Sequence, residues 1–305
     1  DGSTDTCREI IESYQQKDSR ILLINQENKG VSAARNAGIS VAKGRYIGFV
    51  DGDDYVETTM FETMYKLGFE NDLDIVISNF ITEQNGLKIN KRVNFSTNQV
   101  FCSKDIQKEI IPYFLREDGL NSCWNKLYKS DLIKGNSISF PIGVANGEDA
   151  LFNLNCFNKA TKVQFFNYRG YYYREVKGSA TRDILTKDYF KIALDVFNFN
   201  HVLKCNLSLS KTEATKLKSI RLITKVVSLI HLYFKSNSEK AFKLRFLYVK
   251  NMVSNKQVQD EIHKNWGALK ANKSKYHQLF LYFIKIKWTL GLVLLTTYSN
   301  FRNKS

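Results

Sequence analysis

A chain of 305 residues that is 43% hydrophobic and 25% charged holds enough apolar material for one large core or two smaller ones, which excludes a disordered protein. Its 45 Lys+Arg against 30 Asp+Glu give a net charge of +15, and the excess is local: residues 187–305 carry 22 basic and 6 acidic residues, residues 1–186 carry 23 and 24. The five cysteines, at 7, 102, 123, 156 and 205, include no CxxC pair, which excludes a metal knot and fits a reducing compartment.

The opening DGSTD has neither a Met nor a basic and apolar leader, so it predicts no signal peptide and reads as truncated. Thr6 with Glu9 has the pattern of a capping box, opening a helix that carries Ile10, Ile11 and Tyr14. Ile21 to Asn25 (ILLIN) is apolar almost throughout, as a short strand buried on both faces would be. GVSAARNAGISVAKG predicts a small-residue helix stopped by Gly44. Arg45 to Val50 is the next buried strand, Thr58 to Phe69 a helix and Asp74 to Phe80 another strand. This alternation predicts an open, largely parallel α/β sheet.

Ligands bind such sheets in the crevice beyond the carboxyl ends of the strands, which is where Asp51, Asp53 and Asp54 fall. Three carboxylates this close repel one another unless a cation or hydrogen-bond donors neutralise them. Hard oxygen ligands suit Mg2+ or Mn2+ bridging to a substrate phosphate. A solvated Asp-Gly turn is the other reading of the same residues. Further on, GEDALFNLNCF continues as a helix with Leu151, Leu154 and Phe157 buried, and Glu148 and Asp149 stand in its first turn, where the helix dipole favours acids.

From Lys187 onward the pattern is helical, with aliphatic and aromatic residues recurring among lysines. The most apolar part, residues 278–301, has Lys285 and Lys287 near its middle, each costing roughly 2.5 to 3.5 kcal/mol at a bilayer centre, which argues against spanning. The expectation is an interfacial helix on an anionic membrane surface, its apolar face built around Phe280, Phe283, Trp288 and Leu292. His201, His231, His263 and His277 form no metal or triad constellation. Charge and pattern together predict two regions, 1–186 and a basic helical 187–305.

DGSTD (1–5), NKGVSAARNAGI (28–39), FVDGDDYV (49–56), CWNKLYKSDLI (123–133), NGEDALFNL (146–154) and YYYREVKGSATR (171–182) occur in the order and approximate spacing of family-2 glycosyltransferases of the GT-A fold. The chain most resembles bacterial enzymes that build surface polysaccharides. The resemblance implies an α/β fold: a GT-A, Rossmann-like, mostly parallel sheet flanked by helices and followed by a helical C-terminal region. The catalytic domain would be residues 1–186, lacking its first strand and helix.

The resemblance also implies roles. Asp1 would contact the nucleotide base, Arg35 would lie near the ribose and phosphates, and Asp51 would orient the ribose. Asp53 would ligate Mn2+ or Mg2+, with Asp54 in support. Asp149 would deprotonate the acceptor hydroxyl in an inverting transfer, with Glu148 beside it. Trp124 and Lys126 would stand on the acceptor side, although Trp124 reads equally as core. Tyr173, Arg174, Lys177 and Ser179 would fold over the diphosphate. The donor would be a nucleotide sugar, a UDP-sugar by this resemblance, and the acceptor a saccharide or lipid-linked saccharide. The enzyme would be cytoplasmic, peripheral on the inner face of the cell membrane, and would bind no nucleic acid. A sugar-nucleotide nucleotidyltransferase and a non-enzymatic basic binding protein are the alternatives.

Overall fold

The computed structural model describes residues 1–84, 86–97, 99–144, 147–174, 188–198, 209–234 and 242–302. They fall into two units, Asp1–Phe114 with Asp118–Val176, and Leu115–Glu117 with Lys177–Ser305.

The first unit opens with α1 (Cys7–Lys17) and α2 (Val31–Val41). Two expectations fail here. Thr6 makes no side-chain cap, because its backbone (φ −75°, ψ 4°) is not extended, and the Asp5 carboxylate accepts from the Cys7 N–H instead. Residues 21–25 form no strand: none of the described strands pairs with them, and Leu22 is exposed. Ile10, Ile11 and Tyr14 are likewise exposed on α1.

The chain then runs through β1 (Tyr46–Gly48), β2 (Tyr55–Val56), α3 (Met60–Glu70) and β3 (Ile75–Ser78). Next come the hairpin strands β4 (Phe80–Gln84) and β5 (Leu87–Lys91), then β6 (Val100–Cys102), β7 (Lys126–Lys129) and α4 (Ser130–Gly135). Helix α5 (Glu148–Lys159) leads to β8 (Lys162–Phe166) and β9 (Tyr171–Tyr173). The larger sheet has the order β1-β7-β3-β8-β6, the smaller β2-β9-β4-β5.

The α/β class holds, but the sheets are mixed rather than mostly parallel. β3 pairs in parallel with β8, Ile75 opposite Val163, while β7 runs antiparallel to both β1 and β3, and β6 antiparallel to β8. A parallel neighbour needs a crossover, which α5 supplies before β8; the step from β4 to β5 is a hairpin, so those strands are antiparallel. β3 is the buried axis, with Ile75, Val76 and Ile77 fully inaccessible. Val76 packs with Met60 and Met64 of α3 and with Trp124 and Tyr171.

The second unit is helical: α6 (Tyr189–Asn198), α7 (Lys211–Tyr233), α8 (Phe242–Ser254), α9 (Lys256–Lys264), α10 (Trp266–Lys270), α11 (Lys275–Lys285) and α12 (Thr289–Arg302). Ser210, Asn255 and Ser274 cap α7, α9 and α11 by accepting from backbone N–H groups in the first turn. A shared core joins Ile223, Ile230, Met252, Ile262, Phe280, Ile284 and Leu292.

Residues 278–301 are therefore a helical hairpin, not one interfacial helix. Lys287 takes a left-handed conformation (φ 59°), its N–H donates to the Ile284 carbonyl, and the Trp288 N–H donates to the Phe283 carbonyl at 2.9 Å. This is a Schellman ending, completed by the Trp288 and Phe283 rings meeting at 4.5 Å. The expected lipid face is corrected with it. Phe280 and Leu292 are fully buried, Phe283 packs against the same core, and only Trp288 of the four is exposed.

Candidate active site

Three segments of the first unit converge on Arg35. It projects from the second turn of α2, while Asp51 lies on the turn after β1 and Glu148 and Asp149 begin α5. Gly147, at φ 94° and ψ 7°, supplies the left-handed step into α5 that sets both acids at its first turn. One guanidinium nitrogen of Arg35 donates to Asp51 Oδ1 at 2.8 Å; the other donates to Asp149 Oδ1 at 2.5 Å and stands 3.6 Å from Glu148 Oε1. Only 13% of the Arg35 side chain is accessible, so the pairs act in a partly dry environment where Coulomb attraction is strong.

An aromatic floor holds this arrangement. The guanidinium lies 5.2 Å from the centroid of Phe140, which stacks on Phe152 at 4.0 Å with Phe49 edge-on to both. Asn36, the next residue on α2, exchanges two 2.8 Å hydrogen bonds with the Phe140 backbone. Burial raises the Asp149 carboxyl above its ordinary value, against the opposing pull of Arg35 and of the hydrogen bonds from Cys123. Glu148 is raised too, by burial and then by the neighbouring Asp149 charge.

The three aspartates after β1 separate by role. The Tyr171 hydroxyl accepts from the Asp51 N–H at 3.1 Å and donates to Asp54 Oδ2 at 2.7 Å. The Arg174 N–H donates to Asp54 Oδ1 at 2.9 Å, and the Arg174 side chain donates to the Asp53 carbonyl. Asp54 thus ties the turn to β9. The Asp53 carboxylate is exposed and has no hydrogen-bond or ion-pair partner among the described residues. No group of three or more His, Cys, Asp or Glu side chains that could hold a metal occurs among them. A single free carboxylate still fits Mg2+ or Mn2+ of the kind that keeps several waters and is held largely by substrate phosphates.

Of the other expected residues, Asp1 accepts from the Gln26 amide at 2.8 Å and the Lys29 N–H at 2.9 Å, which holds it against the loop before α2. Trp124 takes the second of its two readings, a core position, and Lys126, expected on the acceptor side, is interior as well. The indole is buried, stacked on Tyr171 at 4.3 Å and edge-on to Phe80 at 4.7 Å, so its face is taken by protein. Lys126 is fully buried; its ammonium donates to the Ser122 carbonyl and the Asn125 amide oxygen, and burial pulls its pKa down to about 7. Lys177 and Ser179 lie outside the described residues. Two residues that sequence reasoning missed complete the site. Tyr171 bridges Asp51 and Asp54, and Asn153 binds the Asp149 carbonyl and the Tyr128 hydroxyl. Both lie within motifs quoted above, YYYREVKGSATR and NGEDALFNL, but nothing in the sequence marks them apart from their neighbours there.

Residues 1–135 match the sequence profile described as glycosyl transferase family 2. They are a family 2 glycosyltransferase domain. The chain is 34% identical over 195 residues to EpsJ of Bacillus subtilis, an uncharacterised glycosyltransferase, with 64% of this chain and 55% of EpsJ covered. It is 32% identical over 175 residues to the poly(ribitol-phosphate) beta-glucosyltransferase of Bacillus spizizenii, with 57% and 26% covered. It therefore spans about half of the first of these relatives and about a quarter of the second. Its fold resembles residues 1–349 of S. aureus TarS, crystallised with UDP-GlcNAc, at a TM-score of 0.60 and 18% identity over 99% of this chain and 81% of that one. That likeness shows the GT-A fold.

Proposed function

We propose that this family 2 chain is an inverting glycosyltransferase that moves a sugar from a nucleotide-sugar donor to a saccharide or lipid-linked saccharide of a bacterial surface polymer. The observation that carries this reading is the Arg35 cluster, which sets a desolvated carboxylate, Asp149, beside the aspartate turn at the end of β1. UDP-GlcNAc in the TarS structure supports a nucleotide sugar as donor, and the named substrate of the glucosyltransferase relative supports a polymer as acceptor.

In the reaction Asp149 takes the proton of the acceptor hydroxyl. The acceptor oxygen forms a bond to the anomeric carbon as the bond to the departing phosphate oxygen breaks, so a single displacement inverts that centre. Burial suits Asp149 to this task, because a raised pKa makes the ionised carboxylate a better base. Arg35 holds Asp149 and Asp51 in register while it neutralises them, and Arg174, exposed beside the turn, offers a cation to the diphosphate. A divalent ion at Asp53 would supply positive charge to the leaving diphosphate. The same reading makes the enzyme cytoplasmic and peripheral at the inner membrane face, where a lipid-linked acceptor is displayed.

Calorimetric titration of the protein with UDP in the presence of Mn2+ tests the donor side. The expected result is saturable binding that Asp53→Ala weakens by about tenfold or more, through loss of a metal ligand. No UDP binding by wild type would sink the donor reading; an unchanged Asp53→Ala titration would remove Asp53 from the site.

A further inference from the structure

The outer side of the α11–α12 hairpin carries large apolar side chains exposed to solvent. On α12, Leu290, Leu294, Tyr298 and Phe301 are exposed, and spacings of four, four and three residues set them on one helix face. Leu294 is 65% accessible and Phe301 76%. On α11, Leu279 and Tyr282 are exposed on one face, Ile286 follows in the same phase, and exposed Trp288 sits at the turn between the helices. A soluble surface rarely gathers so many large apolar side chains in one place without a partner. The inner sides of the same helices already belong to the unit's core through Phe280, Ile284 and Leu292.

Charge identifies the partner. Beyond Glu261 the chain contains no Asp or Glu, while Lys273, Lys275, Lys285, Lys287 and Arg302 lie on or beside the hairpin. A protein partner would be met with mixed charge at the rim of the patch. An apolar stripe on helices whose own charged residues are all cations instead complements an anionic lipid surface, with aromatic and aliphatic side chains in the acyl boundary and ammonium groups at the phosphates. The described helices include none long and apolar enough to cross a membrane, and the hairpin's inner face is committed to the core, which leaves the in-plane arrangement.

We propose that the outer face of α11 and α12, centred on Leu290, Leu294, Tyr298 and Phe301, docks on anionic membrane. This deepens the membrane reading above and rests on it, with the contact transferred from Phe280 and Leu292 to the opposite side of the hairpin.

Sedimentation of the full chain with phosphatidylcholine vesicles, with and without phosphatidylglycerol, tests it. The expected result is binding that needs phosphatidylglycerol, weakens as salt rises, and falls about tenfold or more in Leu294→Gln/Phe301→Gln, at exposed positions where thermal unfolding should be unchanged. Lys273→Gln/Lys275→Gln should weaken binding to the anionic vesicles alone. Indifference of wild type to phosphatidylglycerol overturns the membrane reading itself. Anionic binding that survives Leu294→Gln/Phe301→Gln overturns only the assignment of this face. Loss of a dimer in that variant with vesicle binding unchanged would assign the face to a second copy of the chain and overturn the proposal too.

Discussion

Arg35 makes three carboxylates compatible within a few ångströms of one another, so it also sets how basic Asp149 is. Burial raises the Asp149 carboxyl and the Arg35 charge lowers it, with burial prevailing. The acid limb of kcat/KM should therefore lie above the ordinary aspartate value near 3.9. In Arg35→Met the opposing cation is gone while the burial and the Asp51 charge remain, so the limb should move further up in pH. A pH profile of each protein on a common donor and acceptor checks this. A limb that stays in place or moves down would mean that Asp149 is not the titrating base. At this scale the structure brings together Arg35, Asp51 and Asp149, three residues that charge and motif single out in the sequence. The sequence left Trp124 open between acceptor side and core and set Lys126 on the acceptor side, because an aromatic or a lysine looks the same in sequence whether its surroundings are solvent or core. Lys126 is a costly residue to bury, and only the carbonyl and amide oxygens folded around its ammonium make that position possible.

At the scale of elements, helices α2, α3 and α5 and strands β1 and β3 lie close to where periodicity and glycine punctuation put them. The direction of β7 did not follow from alternation, because antiparallel insertion between β1 and β3 depends on which edges are open, a property of the assembled sheet. The break between α11 and α12 was hidden for a local reason. α11 stops with Lys287 at φ 59°, followed by the long-range backbone bond of a Schellman motif, and that position is not the glycine that usually marks such a stop. A left-handed residue with a side chain costs about 1 kcal/mol relative to glycine. Lys287→Gly should accordingly stabilise the folded chain by up to about 1 kcal/mol, read as an upward shift in denaturant midpoint. A clear loss of stability would show that the Lys287 side chain supports the turn through contacts that outweigh its backbone strain.

Across the whole molecule the two units differ in composition as well as in contact. The balanced, acid-bearing first unit carries the cluster of Arg35, Asp51, Glu148 and Asp149, and the basic second unit carries an exposed apolar face on helices that hold basic residues and no acid. The charge asymmetry of the sequence does not say which side of residues 278–301 faces out, since α11 and α12 have apolar residues on both sides and only packing decides between them. The central claim is that the carboxylate cluster performs sugar transfer with Asp149 as base. The most direct test is the rate of nucleoside diphosphate release from a panel of nucleotide sugars in the presence of acceptor polymer and Mn2+, compared between wild type and Asp149→Asn. The account expects wild type to turn over at least one donor. It expects the variant, whose amide keeps the shape of the side chain but cannot take the proton, to bind that donor equally and release diphosphate about 100-fold more slowly or worse. Turnover by Asp149→Asn at the wild-type rate would contradict it.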